Sequence, residues 1–240
     1  MLRVLRCGKD LLAASAAFEI GLFEQMHLRS ELQEGVREIT AGMSPSDLAH
    51  SAAQLTSSYR QRQRTRPQLD ATQRAAYLVT RLPATYAVLS HIMREAKLRT
   101  AELRVESILD LGAGPGTVMW AAAEQFPELA RAINVEVSAA WIEIGKTLAA
   151  RSSMTALRSA EWRQASVLDP LPAERSDLVV MSYVVNEFGR SDRMRAVHSA
   201  WEHAQKLLAI IEPGTPAGFE HIREIRSNLL ALGAHVVGPC

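Results

Sequence analysis

Asp110-Leu111-Gly112-Ala113-Gly114-Pro115-Gly116-Thr117 is the stretch on which the reading of this chain turns. It follows a short apolar run, Ser107-Ile108-Leu109-Asp110-Leu111, and opens a segment with helical spacing through Phe126. Glycines let the main chain turn sharply and let a bound molecule lie against bare backbone. A dinucleotide-binding turn needs Gly-x-Gly-x-x-Gly. Here the third glycine, Gly116, comes one residue early, and Thr117 stands where that pattern wants glycine. No Gly-Lys-Ser or Gly-Lys-Thr follows, so the phosphate-cradling Walker loop is absent as well.

Downstream of this turn, strand and helix patterns alternate. Strands are expected at 132–137, 162–167, 177–183 and 207–212. Helices are expected from residue 138 to about 151, and from near Ser191 with Met194, Val197, Trp201 and Leu208 on one face. A last helix is capped by Thr215-Pro216 and stops at Gly233. That order predicts an α/β, Rossmann-like, mostly parallel sheet with helices on both faces. Ligands of such sheets sit at the carboxyl ends of the strands. An acid there, Asp110, suits a positively charged ligand without phosphates. S-adenosylmethionine, a sulfonium with an amino-acid tail, is such a ligand. Glu136 ends the second strand, where an acid accepts ribose hydroxyls. Asp169 follows the third, in reach of an adenine amino group. The candidate cofactor set is therefore Asp110, Gly112, Ala113, Gly114, Gly116, Glu136 and Asp169.

Before residue 105 the pattern is helical. Ser44-Pro45-Ser46-Asp47 places a capping hydroxyl before a proline suited to the first helical position. Leu48, Ala52, Leu55 and Tyr59 then recur at helical spacing. Asp70 and Gln73 form a capping box opening a helix with Tyr77, Leu78 and Leu82. Pro83 is expected to kink or end it, with a further helix carrying Val88, Leu89, Ile92 and Met93. Between the two lie Arg60, Arg62, Arg64 and Arg66, which read as a loop. They form either a phosphate-binding strip or a solvated turn. The chain thus divides into a leader and helix (1–43), a helical extension (44–104) and a cofactor-binding domain (105–240).

Composition narrows the function classes. With 48% hydrophobic residues the chain buries a sizeable core, which excludes disorder throughout. A formal charge of +1 excludes nucleic-acid binding by bulk charge, so DNA is not expected and any RNA contact needs a local patch. No apolar run reaches the ~20 residues of a bilayer span, so no membrane partner is expected. The two cysteines, Cys7 and Cys240, lie at opposite ends; they make no disulfide framework and favour a reducing compartment. Arg3, Arg6 and Lys9 only weakly suggest a transit peptide. The expected location is the bacterial cytoplasm, with the mitochondrion as the alternative.

The stretch 110–117 resembles motif I of the class I methyltransferases. From about residue 44 to the end the chain is similar to the ribosomal small-subunit Rsm-type methyltransferase-like family of bacteria and mitochondria. The resembling stretches are Tyr77-Leu78-Val79-Thr80-Arg81-Leu82-Pro83-Ala84-Thr85-Tyr86-Ala87 and Ser182-Tyr183-Val184-Val185-Asn186-Glu187. Clearest is Glu212-Pro213-Gly214-Thr215-Pro216-Ala217-Gly218-Phe219, followed by His235-Val236-Val237-Gly238-Pro239-Cys240. The resemblance implies a class I methyltransferase fold and work on the small ribosomal subunit or its rRNA, in subunit assembly or translation. Two classes of function stay open: methyl transfer onto the subunit, or a non-catalytic RNA-binding scaffold. A small-molecule methyltransferase is a third, disfavoured by the arginines and the ribosome-like motifs.

In this architecture the methyl acceptor sits after the fourth strand, beside Tyr183, Asn186 and Glu187. That segment lacks both the Asn-Pro-Pro-Tyr motif of amino-methylating enzymes and the Pro-Cys motif of cytosine-5 methylation, so no catalytic residue is assigned. Arg81 and Tyr86 either face RNA or brace the helical layer. His198, His203 and His221 show no ligand spacing and read as surface or packing residues.

The resemblance also implies an iron–sulfur cluster of the four-iron type at the C-terminal side, with Cys240 as its first ligand. Residues 235–239 read as a short strand leading into Cys240. Relatives continue with further cysteines and the closing strands of the sheet. A cluster normally needs four thiolates, and the only other thiol is Cys7. The expectation is a truncated form, colourless and without bound iron, whose missing C-terminal strands leave a sheet edge partly uncovered. The alternative is a complete, shorter protein with an exposed terminal thiol.

Overall fold

The aliphatic runs from Ser107 onward have the short, β-branched character of strands buried on both faces, and in the computed structural model they form one parallel sheet. The structure describes residues 4–5, 28–60, 69–100 and 102–238, with the backbone alone at 4–5 and 58–60. The strands are β1 (Val4–Leu5), β2 (Ser107–Leu111), β3 (Arg131–Glu136), β4 (Glu161–Gln164), β5 (Ser176–Ser182) and β6 (Ala204–Ile211). Their spatial order is β1-β6-β5-β2-β3-β4, and every pairing is parallel.

The helices are α1 (Ser30–Thr40), α2 (Pro45–Arg60), α3 (Ala71–Arg99), α4 (Thr117–Gln125), α5 (Ala139–Ala149), α6 (Thr155–Arg158), α7 (Arg190–His203) and α8 (Pro216–Ala231). Strand alternation sends Ile108, Leu178, Val180 and Leu207 to one face, where they meet Trp120 and Phe126 after the turn and Leu78, Leu82 and Leu89 of α3. Residues 44–104 and 105–240 thus share a core. Leu109, Leu111, Val179, Met181 and Leu208 face the other way, onto Val197, Ile222, Ile225 and Leu229 of α7 and α8. No helix among the described residues is long and apolar enough to cross a membrane.

Several expectations change. Asp70 and Gln73 do close a capping box, but α3 then runs 29 residues straight through Pro83. Proline lacks the N–H that would bond the carbonyl four residues back. Here that carbonyl belongs to Val79, which is partly exposed, while Leu78, Leu82, Tyr86 and Leu89 hold the helix on its core from both sides of the proline. Packing therefore overrides the local break.

β6 begins at Ala204, earlier than expected, and Leu208 belongs to it rather than to α7. The helical spacing of Met194, Val197 and Trp201 continues to Leu208 only by coincidence, because the backbone is already extended at Ala204 (φ −83°, ψ 120°). β4 ends at Gln164 rather than residue 167. Among the described residues of the expected strand at 235–239, Val236 alone forms a single bridge. Helix α2 carries Arg60 as its last residue rather than leaving it in a loop, whereas Arg62, Arg64 and Arg66 lie outside the described residues. An unexpected element is β1, which pairs Val4 and Leu5 with Ala209 and Ile210 on the outer edge of β6.

Candidate cofactor cleft and its acceptor side

The turn between β2 and α4 holds Gly112, Gly114 and Gly116 at φ 80°, 53° and 81°, all in the left-handed region that side chains resist. Two of the three are also hemmed in. A Cβ on Gly112 would lie 2.7 Å from Val184, and one on Gly116 would lie 2.8 Å from Met119 and 3.0 Å from Trp162. Gly114 differs, because a Cβ there would meet nothing within 4 Å. Its bareness is not demanded by the protein's own packing, and it opens the turn to a ligand. Gly112 and Ala113 both donate to the Val135 carbonyl, at 2.9 and 3.1 Å, tying the turn to β3.

Glu136, at the end of β3, is 8% exposed. Its two oxygens accept from the backbone N–H of Gly114 (2.8 Å) and of Ser138 (2.9 Å). Asp110 is fully buried, and neither carboxylate oxygen has a hydrogen-bond partner. Burial, and then the neighbouring Glu136 charge, push its carboxyl well above the usual carboxylate range. Asn134 pairs with Asp110 in the β2–β3 register, and Ser182 lies on the same sheet face one step beyond Val180. Asn134 Oδ1 and Ser182 Oγ are likewise buried without partners. Neither Asn134 nor Ser182 is in the cofactor set expected from the sequence, although an amide between Ile133 and Val135 is the available signal: a polar side chain inside an apolar strand.

The structure therefore brings Asp110, the glycine turn and Glu136 together. Asp169 is exposed, and its carboxylate accepts from the Ser166 N–H (2.8 Å) to close its own turn. Val137, directly after Glu136, is an apolar residue left 67% exposed.

The segment after β5 begins at Tyr183, an aromatic residue at φ 59°. Such a conformation costs on the order of 1–3 kcal/mol and is held only by its surroundings. Here the Tyr183 N–H donates to Ile211 O (2.8 Å) and the next residue, Val184, abuts Gly112. Asn186 Nδ2 then donates to Tyr183 O (3.4 Å) and to Glu212 Oε1 (3.3 Å). The Glu212 side chain is 1% exposed, with its other oxygen 3.8 Å from His221 Nδ1.

Four further residues of the segment from Glu212 to Phe219 shape its turn into α8. Thr215 caps α8 by accepting from the Gly218 N–H, Pro216 is its first residue, and a Cβ on Gly218 would sit 2.2 Å from Pro213 O. Tyr86 and Arg81 brace helices. The Tyr86 hydroxyl donates to Glu124 on α4 (2.5 Å), with its pKa pushed up by burial and then by that carboxylate. Arg81 donates to Thr56 of α2 (2.9 Å).

No group of His, Cys, Asp or Glu among the described residues is placed to hold a metal ion. Cys7 and Cys240 both lie outside those residues. The described residues thus offer no thiolate set for an iron–sulfur cluster.

The chain is similar to the human mitochondrial ribosome assembly protein METTL17, at 26% identity over 159 residues. The match takes in 64% of this chain and 34% of that protein, so the chain spans about a third of its relative. Among solved structures it is similar to an O-methyltransferase family protein from Burkholderia thailandensis, with 17% identity, 58% and 41% of the two chains covered, and TM-score 0.47. Another is the glycopeptide N-methyltransferase MtfA complexed with S-adenosylmethionine, with 21% identity, 48% and 50% covered, and TM-score 0.41. Residues 71–240, which run from the start of α3 through the glycine turn and the Glu212 segment, match one family throughout, and the chain belongs to the mitochondrial small ribosomal subunit Rsm22 family.

Proposed function

We propose that this chain binds S-adenosylmethionine at the carboxyl ends of β2 and β3 and serves the small ribosomal subunit as a methyltransferase-like assembly factor. The observation that carries the reading is Asp110, a buried carboxylate with both oxygens unpartnered beneath a glycine turn that is open at Gly114. An isolated buried charge is costly, and a cationic ligand offsets that cost. In this reading Asp110 faces the positively charged amino-acid portion, Gly114 lets the ligand lie on main chain, and Glu136 accepts the ribose hydroxyls. Exposed Val137 gives the adenine an apolar surface, and the Asp169 turn meets its amino group. When bound, the cofactor supplies an activated methyl group. The protein's part is to seat and orient, which is most of what an in-line displacement requires.

Family membership and the relative's role in mitochondrial ribosome assembly support the ribosomal assignment, and they favour the mitochondrion over the cytoplasm. The non-catalytic scaffold is favoured by one observation, the lack of an amino- or carbon-methylating motif after β5. Transfer of a labelled methyl group to small-subunit rRNA by the purified protein separates the two.

For the cofactor itself, Gly114→Ala is expected to abolish binding while leaving the fold largely intact, because the added methyl meets no other protein atom and the left-handed backbone at φ 53° costs alanine only about 1–2 kcal/mol. Glu136→Ala is expected to weaken binding by about 1–3 kcal/mol, the scale of leaving a buried hydrogen-bonding group without its partner. Titration calorimetry showing unchanged affinity in both variants overturns the reading. For RNA, changing Arg60, Arg62, Arg64 and Arg66 together to Gln is expected to lower rRNA affinity and flatten its salt dependence, since fewer counterions are released. An unchanged salt slope would place the RNA face elsewhere.

A further inference from the structure

The turn after β5 carries an amide whose orientation is dictated by its neighbours. Both groups facing the Asn186 amide, the Tyr183 carbonyl and the Glu212 carboxylate, are acceptors. Only the NH2 end satisfies them, because the flipped amide would set oxygen against oxygen. The left-handed backbone at Tyr183 is part of this arrangement, because it sets the plane of the peptide that supplies the carbonyl. Glu212 cannot swing away to release the amide: its side chain is 1% exposed, with His221 of α8 beside its second oxygen. The Asn186 oxygen is consequently turned away from both acceptors, on an exposed residue two positions after the valine that packs on Gly112.

A fixed outward acceptor selects a donor. Resting on the ribosomal reading above, the geometry points to Asn186 as an acceptor-side recognition residue, held by Glu212, whose amide oxygen takes a hydrogen bond from the exocyclic amino group of an unpaired RNA base. A base carrying a carbonyl at the same position would face the Asn186 oxygen with a second acceptor and lose the contact. Glu212 acts through Asn186 and is a positioning residue. This also gives a role to Glu212, the first residue of the segment that runs to Phe219.

The test titrates short single-stranded RNAs into the full chain, with and without S-adenosylhomocysteine. The RNAs carry a central adenine against inosine, and cytosine against uracil, so that the amino group is exchanged for carbonyl and the adjacent ring nitrogen gains a proton in both pairs. The wild-type chain is expected to prefer the amino-bearing RNA by about fivefold, the scale of one neutral hydrogen bond. Asn186→Ala is expected to erase that ratio. Glu212→Gln, which offers Asn186 either a donor or an acceptor, is expected to reduce it by bringing the affinities for the paired RNAs together, while leaving S-adenosylhomocysteine affinity unchanged. A merely structural Glu212 would lower the melting temperature and leave the ratio intact, which overturns its positioning role. Equal wild-type affinities for the paired RNAs, or an unchanged ratio in Asn186→Ala, overturn the inference. Failure to bind S-adenosylhomocysteine overturns the cofactor reading instead, and the ratio is still read on the cofactor-free chain.

Discussion

Asp110→Asn is expected to make the protein more stable and a poorer binder of S-adenosylmethionine. The carboxyl is fully buried, unpartnered and raised in pKa by burial and by Glu136. The folded chain therefore keeps this proton at a pH where the unfolded chain, titrating near ~4, has already released it. Stability from this group is complete below the unfolded value and declines as pH rises toward the folded one. The amide does not titrate, so its advantage opens above about pH 4 and levels off once the folded carboxyl has ionised. Its size grows by about 1.4 kcal/mol for each pH unit over which only the folded carboxyl keeps its proton.

Ligand binding moves the other way. A cation favours the ionised carboxylate, so the variant is expected to lose about 1.5–3 kcal/mol of affinity, the scale of a hydrogen bond to a charged group. Wild-type affinity should rise with pH over the same window. Thermal melts at several pH values, together with calorimetry, check both signs. An Asp110→Asn variant that binds as well as the wild type would remove Asp110 from the site.

Gly218→Ala is expected to cost about 3 kcal/mol or more, at the upper end of what overpacking a fixed site costs. The new methyl would lie 2.2 Å from Pro213 O, a main-chain atom rather than a yielding side chain. Pro213 has little room to retreat, since its carbonyl also accepts from the Thr215 N–H at 2.7 Å and it follows directly on the buried Glu212. Gly42→Ala is the control: a Cβ there meets nothing within 4 Å, so its effect should stay within about 0.5 kcal/mol. Chemical denaturation of the two variants distinguishes a motif required by its backbone path from one tolerant of any small residue.

The α/β plan could be read from the chain because its signals are local. An apolar strand run, three glycines in a turn and a Thr-Pro cap each act within a few residues. What failed was decided at a distance. Pro83 breaks a helix by its own chemistry, yet α3 continues because Leu78, Leu82 and Tyr86 share one core with residues far along the chain. Leu208 fits a helical stripe and a strand equally well, and only the extended backbone at Ala204 chooses between them.

The site divides in the same way. Asp110 and Glu136 announced themselves as acids at strand ends. Asn134 and Ser182 became visible only when parallel register set them beside Asp110 and the turn. Glu212 lies in a motif that by itself gives it no role, since the groups that do, Asn186 and His221, come from a different turn and a different helix.

The pairing of β1 with β6 has a consequence for amide hydrogen exchange. Two residues in a ladder supply a couple of hydrogen bonds, each worth about 1 kcal/mol net. Ordering each residue costs about 1–2 kcal/mol in backbone entropy. The Val4–Leu5 pairing is therefore close to balanced and opens without disturbing the strands beside it. β2 and β5, at the centre of the sheet and buried on both faces, have no such local route. Their amides exchange only when the whole domain unfolds. The protein is thus graded across its sheet, with protection factors that climb by orders of magnitude from the outermost strand to the two strands beneath the glycine turn.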